Sequence, residues 1–352
     1  MNMRVKRVLV PGRHRVLLDE IEIPRRPGPG QVAVETEFTF ISAGTELANY
    51  TGLDRSVDVP GSWCAYPWAA GYANVGRIVE LGAGVSGYQV GDRVFSSSKH
   101  QQIQHLRVYE PGAMGGLPID KMLARVPEGL DGAVAAACIM PEIALSALSN
   151  TRWRLNDKVG VWGLGMIGNM AAQLYRLAGC RVIGIDPTAS RRQVAISLGI
   201  DAVVSPEAAA IRDEVCAMGG DESLDIGVDA VGEAAVIDSI HGHVRKFGQI
   251  VLLGSPRREH QTDLTPLLRS VKTRGIKLRG SLQSLIPFWP QPGFDQSTMG
   301  NLATVLDLAT RGRLQIAPLI SHRMPPQDIE IAYRGLLEDK ETYTGVALAW
   351  QG

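Results

Sequence analysis

The chain has 352 residues, 45% of them hydrophobic, and its 36 basic and 36 acidic residues leave a formal net charge of zero. A single core stops growing near that length, so two domains are expected, and balanced charge without long like-charge blocks argues against nucleic acid or anionic membrane as partners. The amino terminus is interrupted by charge too often for a secretory signal, and no apolar run is expected to approach the ~18 residues of a membrane span, so a soluble cytoplasmic protein is the expectation.

In chain order, residues 1–150 are rich in Gly and Pro and carry short alternating apolar stretches, QVAVETEF, NVGRIVELG, GDRVFSSS and QHLRVYE. That spacing predicts an irregular, mostly antiparallel β-domain. Between the first two lies FISAGTELANYTG, residues 40–52, where Ser42, Ala43, Gly44 and Thr45 run into Glu46. Such a stretch reads equally as a turn closing a strand or as the floor of a reactive site. The four cysteines, Cys64, Cys138, Cys180 and Cys216, are widely spaced with no CxxC pair, so they read as reduced and mostly buried thiols.

After Asn150 the character changes. VGVWGLGMIG leads into NMAAQLYRLAG, where Met170, Leu174, Leu177 and Ala178 recur at helical spacing and Gly179 stops the helix. RVIGID then reads as a strand, SRRQVAISLG as a helix with Ser190 as N-cap, and DAVV as a strand. DIGVDAVG, a helix over 233–246, GQIVLLG and KLRG complete an alternation that predicts a doubly wound parallel sheet of about six strands over residues 151–294. The loop SLIPFWPQPGF breaks the pattern. A helix at NLATVLDLATRG, another near 327–338 and a closing strand, TGVALAW, are expected to return to the first domain, making 1–150 with 295–352 one discontinuous domain.

Within this frame Gly163, Gly165 and Gly168 form GxGxxG between a strand and a helix. The first glycine would make the tight turn, the second admit a pyrophosphate to the backbone, and the third let helix and strand pack closely. Met166 and Ile167 lie at the helix amino terminus, whose free N–H groups and dipole suit a diphosphate. Asp186 ends the next strand, where a carboxylate accepts both ribose hydroxyls of an adenosine and repels a 2'-phosphate. NAD is therefore favoured over NADP, although Arg191 and Arg192 stand close enough to reach a phosphate.

The sequence GTEL, GYANVGRIVELGAGVSGYQVGDRV, GLGMIG, VDAVG and LLGS, in that order, resembles the medium-chain dehydrogenase/reductase superfamily over essentially the whole chain. The resemblance implies a nicotinamide-binding Rossmann fold inserted in a GroES-like β-domain, with Ala230, Val231, Leu253, Gly254 and Ser255 also lining the cofactor, and a homodimer. The zinc members carry a catalytic Cys where Ala43 stands, a His-Glu pair where Tyr72 and Ala73 stand, and a third ligand at Ile139 or Met140. Their structural zinc lobe is missing as well, since no cysteine lies between Cys64 and Cys138. No zinc is expected, because Ala, Ile and neutral Tyr are not zinc ligands. The GTE and GYxxVGRIVELG wording is similar to a branch grouped with bacteriochlorophyllide a dehydrogenase, which oxidises a secondary alcohol to a ketone.

Without a metal, a side chain must take the hydroxyl proton as hydride leaves. Thr45 occupies the place of the family's hydroxyl relay, Tyr72 takes the space of a ligand histidine, and His100 would pass the proton toward solvent. Glu46 is expected to bind local backbone and Glu142 to cap the helix beginning near it, with Lys99 and Glu142 the further base candidates. Aromatics in GSWCAYPW and IPFWP serve equally as core, subunit contact or wall for a ring-bearing substrate. The expected activity is NAD-dependent interconversion of a secondary alcohol on a polyol, sugar or ring-bearing substrate with its ketone. An enoyl or quinone reductase and a non-catalytic dinucleotide-binding protein are the alternatives.

Overall fold

The computed structural model describes residues 1–109, 121–220 and 222–351. Its chain divides into one unit made of Met1–Ile139 with Ile286–Gly352 and a second made of Met140–Leu285. Both breaks fall earlier than the boundaries expected at 150/151 and 294/295. The helix Ile139–Ser149 goes with the second unit because it is bonded there: Ser146 Oγ meets Ser281 Oγ at 2.7 Å, and the Tyr175 hydroxyl donates to the Ala147 carbonyl at 3.0 Å.

The first unit opens with β1 (Asn2–Gly12), β2 (Arg15–Pro24), β3 (Gln31–Phe40), α1 (Ala43–Thr51), β4 (Trp68–Ala69), β5 (Asn74–Leu81), β6 (Arg93–Ser96), β7 (Ile103–Arg107), β8 (Leu123–Arg125) and α2 (Gly132–Ala137). Sequence patterning did not single out the β1–β2 hairpin, which pairs antiparallel from Asn2 against Pro24 and extends to β4 in a three-stranded sheet. The remaining strands form the larger sheet, in which β3 and β5 are antiparallel with Thr39 opposite Asn74. Val8 and Val10, two apart and so on one face of β1, pack with Ile41, Tyr50, Tyr333 and Leu348 in the core.

The helix already mentioned, Ile139–Ser149, is α3. The run from Gly132 to Ser149, containing α2 and α3, is long and apolar enough to cross a membrane by length and composition, contrary to the expectation for this chain, but 78% of it is buried inside the protein.

The second unit continues with β9 (Lys158–Trp162), α4 (Met166–Leu177), β10 (Arg181–Ile185), α5 (Ala189–Ser197), β11 (Ala202–Val204), α6 (Ala208–Ala217), β12 (Leu224–Asp229), α7 (Ala234–Ile240), β13 (Val244–Leu252), α8 (Thr265–Arg274) and β14 (Lys277–Gly280). All neighbours in this six-stranded sheet are parallel, in the order β11-β10-β9-β12-β13-β14. The chain starts in the middle, winds to one edge, and crosses back to lay β12 beside β9. Loops leaving β9 and β12 diverge there, opening the crevice in which doubly wound sheets hold ligands. Every residue of β9 is buried, as a central strand covered on both faces requires.

Two local expectations change. The helix over 233–246 stops at Ile240, since Gly242 and its neighbours turn the chain into β13. Thr188, not Ser190, is the N-cap residue of α5, and the Ser190 hydroxyl is buried inside it. After Leu285 the chain returns to the first unit with α9 (Thr298–Thr310), β15 (His322–Met324), α10 (Ile329–Glu338) and β16 (Val346–Ala349), the last pairing with β3.

Candidate active site

In the second unit, the phosphate loop stands at the carboxyl end of β9. Gly163 has φ +88°, a conformation that side chains rarely adopt, and its N–H donates to the Ile185 carbonyl at 2.7 Å. A Cβ on Gly168 would lie 1.7 Å from the Gly163 carbonyl oxygen, so helix and turn touch backbone to backbone. Gly165 is the N-cap of α4, and a Cβ there would meet nothing nearer than the Arg191 guanidinium at 3.7 Å. Met166 is buried and Ile167 half-buried at the start of that helix.

Asp186 follows β10 and is 2% exposed. One carboxylate oxygen accepts the Leu164 N–H at 2.7 Å and the other the Thr188 N–H at 2.8 Å, which fixes the carboxylate against the glycine loop. Arg192 turns back to the carbonyls of Asp186 and Pro187 at 2.6 and 2.8 Å, which ties it to the loop. Arg191 differs: its Nε is buried and, like the Ser190 hydroxyl, has no partner among the described residues. Unpaired buried donors beside a glycine loop are costly by themselves and fit the phosphate and ribose oxygens of a dinucleotide.

Across the crevice, Asp229 ends β12 fully buried, and its Oδ1 accepts the Val231 and Gly232 N–H groups at 2.9 and 3.0 Å. Burial pushes its carboxyl above the ordinary range, and those two N–H groups pull it back. Ala230 and Val231 abut Gly163, while the Asp229 carbonyl receives the Leu253 and Gly254 N–H groups at 3.0 and 2.7 Å. Ser255 lies against Gly232, where a Cβ would come within 2.6 Å of its carbonyl oxygen. The glycine loop with the start of α4, and Asp186 with Arg191 on α5, thus lie at the carboxyl ends of β9 and β10, and Ala230, Val231, Leu253, Gly254 and Ser255 follow β12 and β13 next to them.

In the first unit, ISAGTE is neither a simple turn nor a flat floor. Ser42 is the N-cap of α1, and Thr45 sits half-buried in its first turn. A serine at this position ordinarily bonds the first free N–H groups of its helix, a contact worth ~1 kcal/mol. Ser42 makes no such bond; its hydroxyl accepts the Tyr72 hydroxyl instead. The antiparallel register explains the meeting, because Ser42 and Tyr72 continue β3 and β5 past the Thr39–Asn74 pair.

Glu46 goes beyond its expected local role. Its Oε1 accepts the Ser42 N–H at 2.8 Å, and its Oε2 meets His100 Nε2 at 3.0 Å and accepts the Tyr333 hydroxyl at 2.6 Å. Glu46, His100 and Tyr333 are all fully buried. Burial raises the Tyr333 hydroxyl well above its ordinary pKa, and the charge of Glu46 adds to it. His100 is therefore not placed to pass a proton to solvent: its ring is fully buried, with Nδ1 unpartnered among the described residues, while its backbone N–H donates to the Ala70 carbonyl at 2.9 Å and its backbone carbonyl accepts the Val8 N–H at 2.8 Å. Sequence reading placed Ser42 in the stretch that could floor a reactive site but gave it no role of its own, and it did not single out Tyr333.

The family's metal positions hold Ala43, Tyr72 and the buried Ile139 and Met140, a donor set that does not fit zinc. Among the described residues there is no group of three or more His, Cys, Asp and Glu that could hold a metal ion. Glu142 does not cap α3. It is fully buried, neither carboxylate oxygen has a partner among the described residues, and burial pushes its pKa up to about 8. Lys99 is half-buried. Of the aromatics, Trp68 and Phe288 belong to the interior, whereas Trp63 is 58% exposed.

Comparison with known proteins agrees with this architecture. The family model for the alcohol dehydrogenase GroES-like domain matches residues 28–150, and that for zinc-binding dehydrogenases matches 166–291. An uncharacterized zinc-type alcohol dehydrogenase-like protein of Haemophilus influenzae is 23% identical, the match covering 97% of this chain and 98% of that one. L-threonine 3-dehydrogenase of Coxiella burnetii is 26% identical over 93% of this chain and 94% of its own. D-guloside 3-dehydrogenase of Escherichia coli is 25% identical, but over only 59% of this chain and 62% of its own length. Among solved structures, 2R,3R-butanediol dehydrogenase from Bacillus subtilis superposes with a TM-score of 0.78 at 18% identity, covering 99% of this chain and 100% of its own. An Escherichia coli CFT073 alcohol dehydrogenase complexed with NADH gives 0.79 at 18%, covering 99% of each chain. With its GroES-like and Rossmann units in the expected order, the chain belongs to the medium-chain dehydrogenase/reductase superfamily.

Proposed function

We propose that the chain is an NAD-dependent oxidoreductase that interconverts a secondary alcohol on a polyol, sugar or ring-bearing substrate with its ketone, and does so without zinc. The carrying observations are a dinucleotide cradle in the second unit and, in the first, Ala43 and Tyr72 at positions where the zinc members carry ligands, with a bonded pair of hydroxyls at Ser42 and Tyr72; Ile139 or Met140, at the third position, is no zinc ligand either. Relatives named for dehydrogenation of a guloside, of threonine and of butanediol support the substrate class. Asp186 supports NAD over NADP, since a fixed carboxylate after β10 would bind a ribose diol and repel a 2'-phosphate.

When bound, the cofactor supplies the hydride acceptor. Gly163, Gly165, Met166, Ile167 and Gly168 would hold its diphosphate, Asp186 and Arg191 its adenosine end, and Ala230, Val231, Leu253, Gly254 and Ser255 the other turn. Thr45 and Tyr72 would meet the substrate hydroxyl. We further take the enzyme to work as a cytoplasmic homodimer on a small alcohol or ketone.

The test is a panel of secondary alcohols with NAD, followed by nicotinamide absorbance in the presence of a chelator, together with elemental analysis. Turnover that survives chelation, with zinc well below one ion per chain, is expected. Stoichiometric zinc and activity lost to the chelator would overturn the metal-free reading. Thr45→Val and Tyr72→Phe should each lower turnover by roughly 10²-fold and spare NAD binding, as general acid-base groups do.

A further inference from the structure

We propose that Ser42 is a catalytic residue, the hydroxyl partner that stabilises the ionised oxygen of Tyr72 while that oxygen takes the substrate proton. This rests on the reading of the chain as a metal-free alcohol dehydrogenase and names a group that reading lacks.

Three observations carry it. An N-cap serine has a ready use for its hydroxyl, yet Ser42 leaves its helix uncapped and accepts from Tyr72. The start of the helix is held in another way. Glu46 reaches back from the next turn to bind the Ser42 N–H, and that carboxylate is itself held by His100 from the loop after β6 and by Tyr333 on α10. A buried carboxylate with three donors cannot swing, so the backbone that presents the Ser42 hydroxyl is fixed.

Tyr72 is fixed from its other side. Gly71 has φ +97°, and a Cβ there would lie 2.5 Å from the His100 nitrogen and 2.7 Å from its ring, so the chain entering Tyr72 packs directly on the histidine. His100 thus contributes by shape and by its bond to Glu46. Ser42 is 5% exposed and Tyr72 half-buried, a partial burial that by itself disfavours an ionised phenol and makes a donor beside it matter more.

The chemistry follows from the two states of the pair. With Tyr72 neutral, its O–H donates to Ser42 Oγ. With Tyr72 ionised, the Ser42 O–H turns and donates to the phenolate, and a hydrogen bond to a charged oxygen is roughly twice as strong as the neutral one it replaces. In the oxidative direction the carbinol C–H and O–H bonds break and the C=O bond forms. A bound nicotinamide would supply the acceptor for the hydride, and the proton forms the new O–H bond of Tyr72. Ser42 keeps its own proton throughout, and Tyr72 afterwards returns the substrate's proton to water.

The experiment uses the full chain with Ser42→Ala, Ser42→Thr, Tyr72→Phe and the Ser42→Ala/Tyr72→Phe pair. Tyrosinate absorbance is titrated with pH, and the component absent in Tyr72→Phe is assigned to Tyr72. It should titrate at higher pH in Ser42→Ala and return toward the parent in Ser42→Thr, which restores a hydroxyl. Glu46→Gln, which loosens the hold on Ser42, should move it in the same direction as Ser42→Ala. With an alcohol that the parent oxidises, Ser42→Ala should lower kcat by about tenfold or more, leave NAD affinity unchanged, and cost nothing further once Tyr72 is Phe. The thermal midpoint of Ser42→Ala should stay near the parent, because the hydroxyl caps nothing. An unmoved Tyr72 titration, or losses that multiply in the double variant, overturns the proposal. If the parent oxidises no secondary alcohol, the reaction reading fails, and the titration still decides whether Ser42 stabilises the phenolate.

Discussion

Glu142 gives a stability test whose sign and size follow from its surroundings. Its carboxyl is fully buried with no hydrogen-bond partner among the described residues, and burial pushes its pKa from the ordinary carboxyl range, near 4.5, up to about 8. Between those values the group is protonated in the folded chain and ionised in the unfolded one, so unfolding releases a proton. Stability must then fall as pH rises through this window and level off above about 8. One proton per unfolding event corresponds to ~1.4 kcal/mol per pH unit, hence about 3 kcal/mol between pH 5.5 and 7.5. Glu142→Gln keeps the shape and removes the titration. Urea or calorimetric unfolding of parent and variant at several pH values should show the two curves closest near pH 4.5 and diverging steadily, with the variant more stable at pH 7.5. Parallel curves over this range would mean that Glu142 is ionised and paired in the folded protein, refuting the reasoning.

Other outcomes follow from the two sites. Asp186→Ser should weaken NAD and improve NADP, moving the preference by about tenfold or more, as competitive binding of the two cofactors would report. Gly168→Ala should cost stability by about 1–3 kcal/mol and most of the NAD affinity, because its methyl group cannot coexist with the Gly163 carbonyl 1.7 Å away; unaltered cofactor binding would mean the turn does not contact the ligand. Glu46→Ala strands the His100, Tyr333 and Ser42 donors and should destabilise the chain by roughly 3–5 kcal/mol, whereas Tyr333→Phe, which removes one donor of three, should cost about 1–2 kcal/mol. Thermal or denaturant midpoints of the two variants check the order, and equal losses would contradict the shared carboxylate.

The cofactor half of the molecule was legible in the sequence because its determinants are local. Gly163, Gly165 and Gly168 lie within six residues between a buried strand and the helix they start, and Asp186 is one strand later. Period and glycine spacing therefore carry both the fold and the site. Boundaries were less legible: α3 looks like the end of the first domain by composition, and only the Ser146–Ser281 and Tyr175–Ala147 bonds assign it to the second unit.

The first unit followed a different logic. That Ala43, Tyr72 and Ile139 or Met140 are not residue types that bind zinc could be read directly, as could the presence of hydroxyls nearby. What those hydroxyls touch could not. Ser42 looks like an ordinary helix cap, and local rules assign its hydroxyl to the helix, until the β3–β5 register brings Tyr72 against it from 30 residues away. His100 looks like a loop histidine until β1 and the segment before Tyr72 close over it, and Tyr333 reaches Glu46 across 287 residues of sequence. A carboxylate's partners in a β-rich unit are set by which strands and helices pack around it, and that long-range closure leaves no period or spacing in the sequence from which to read it.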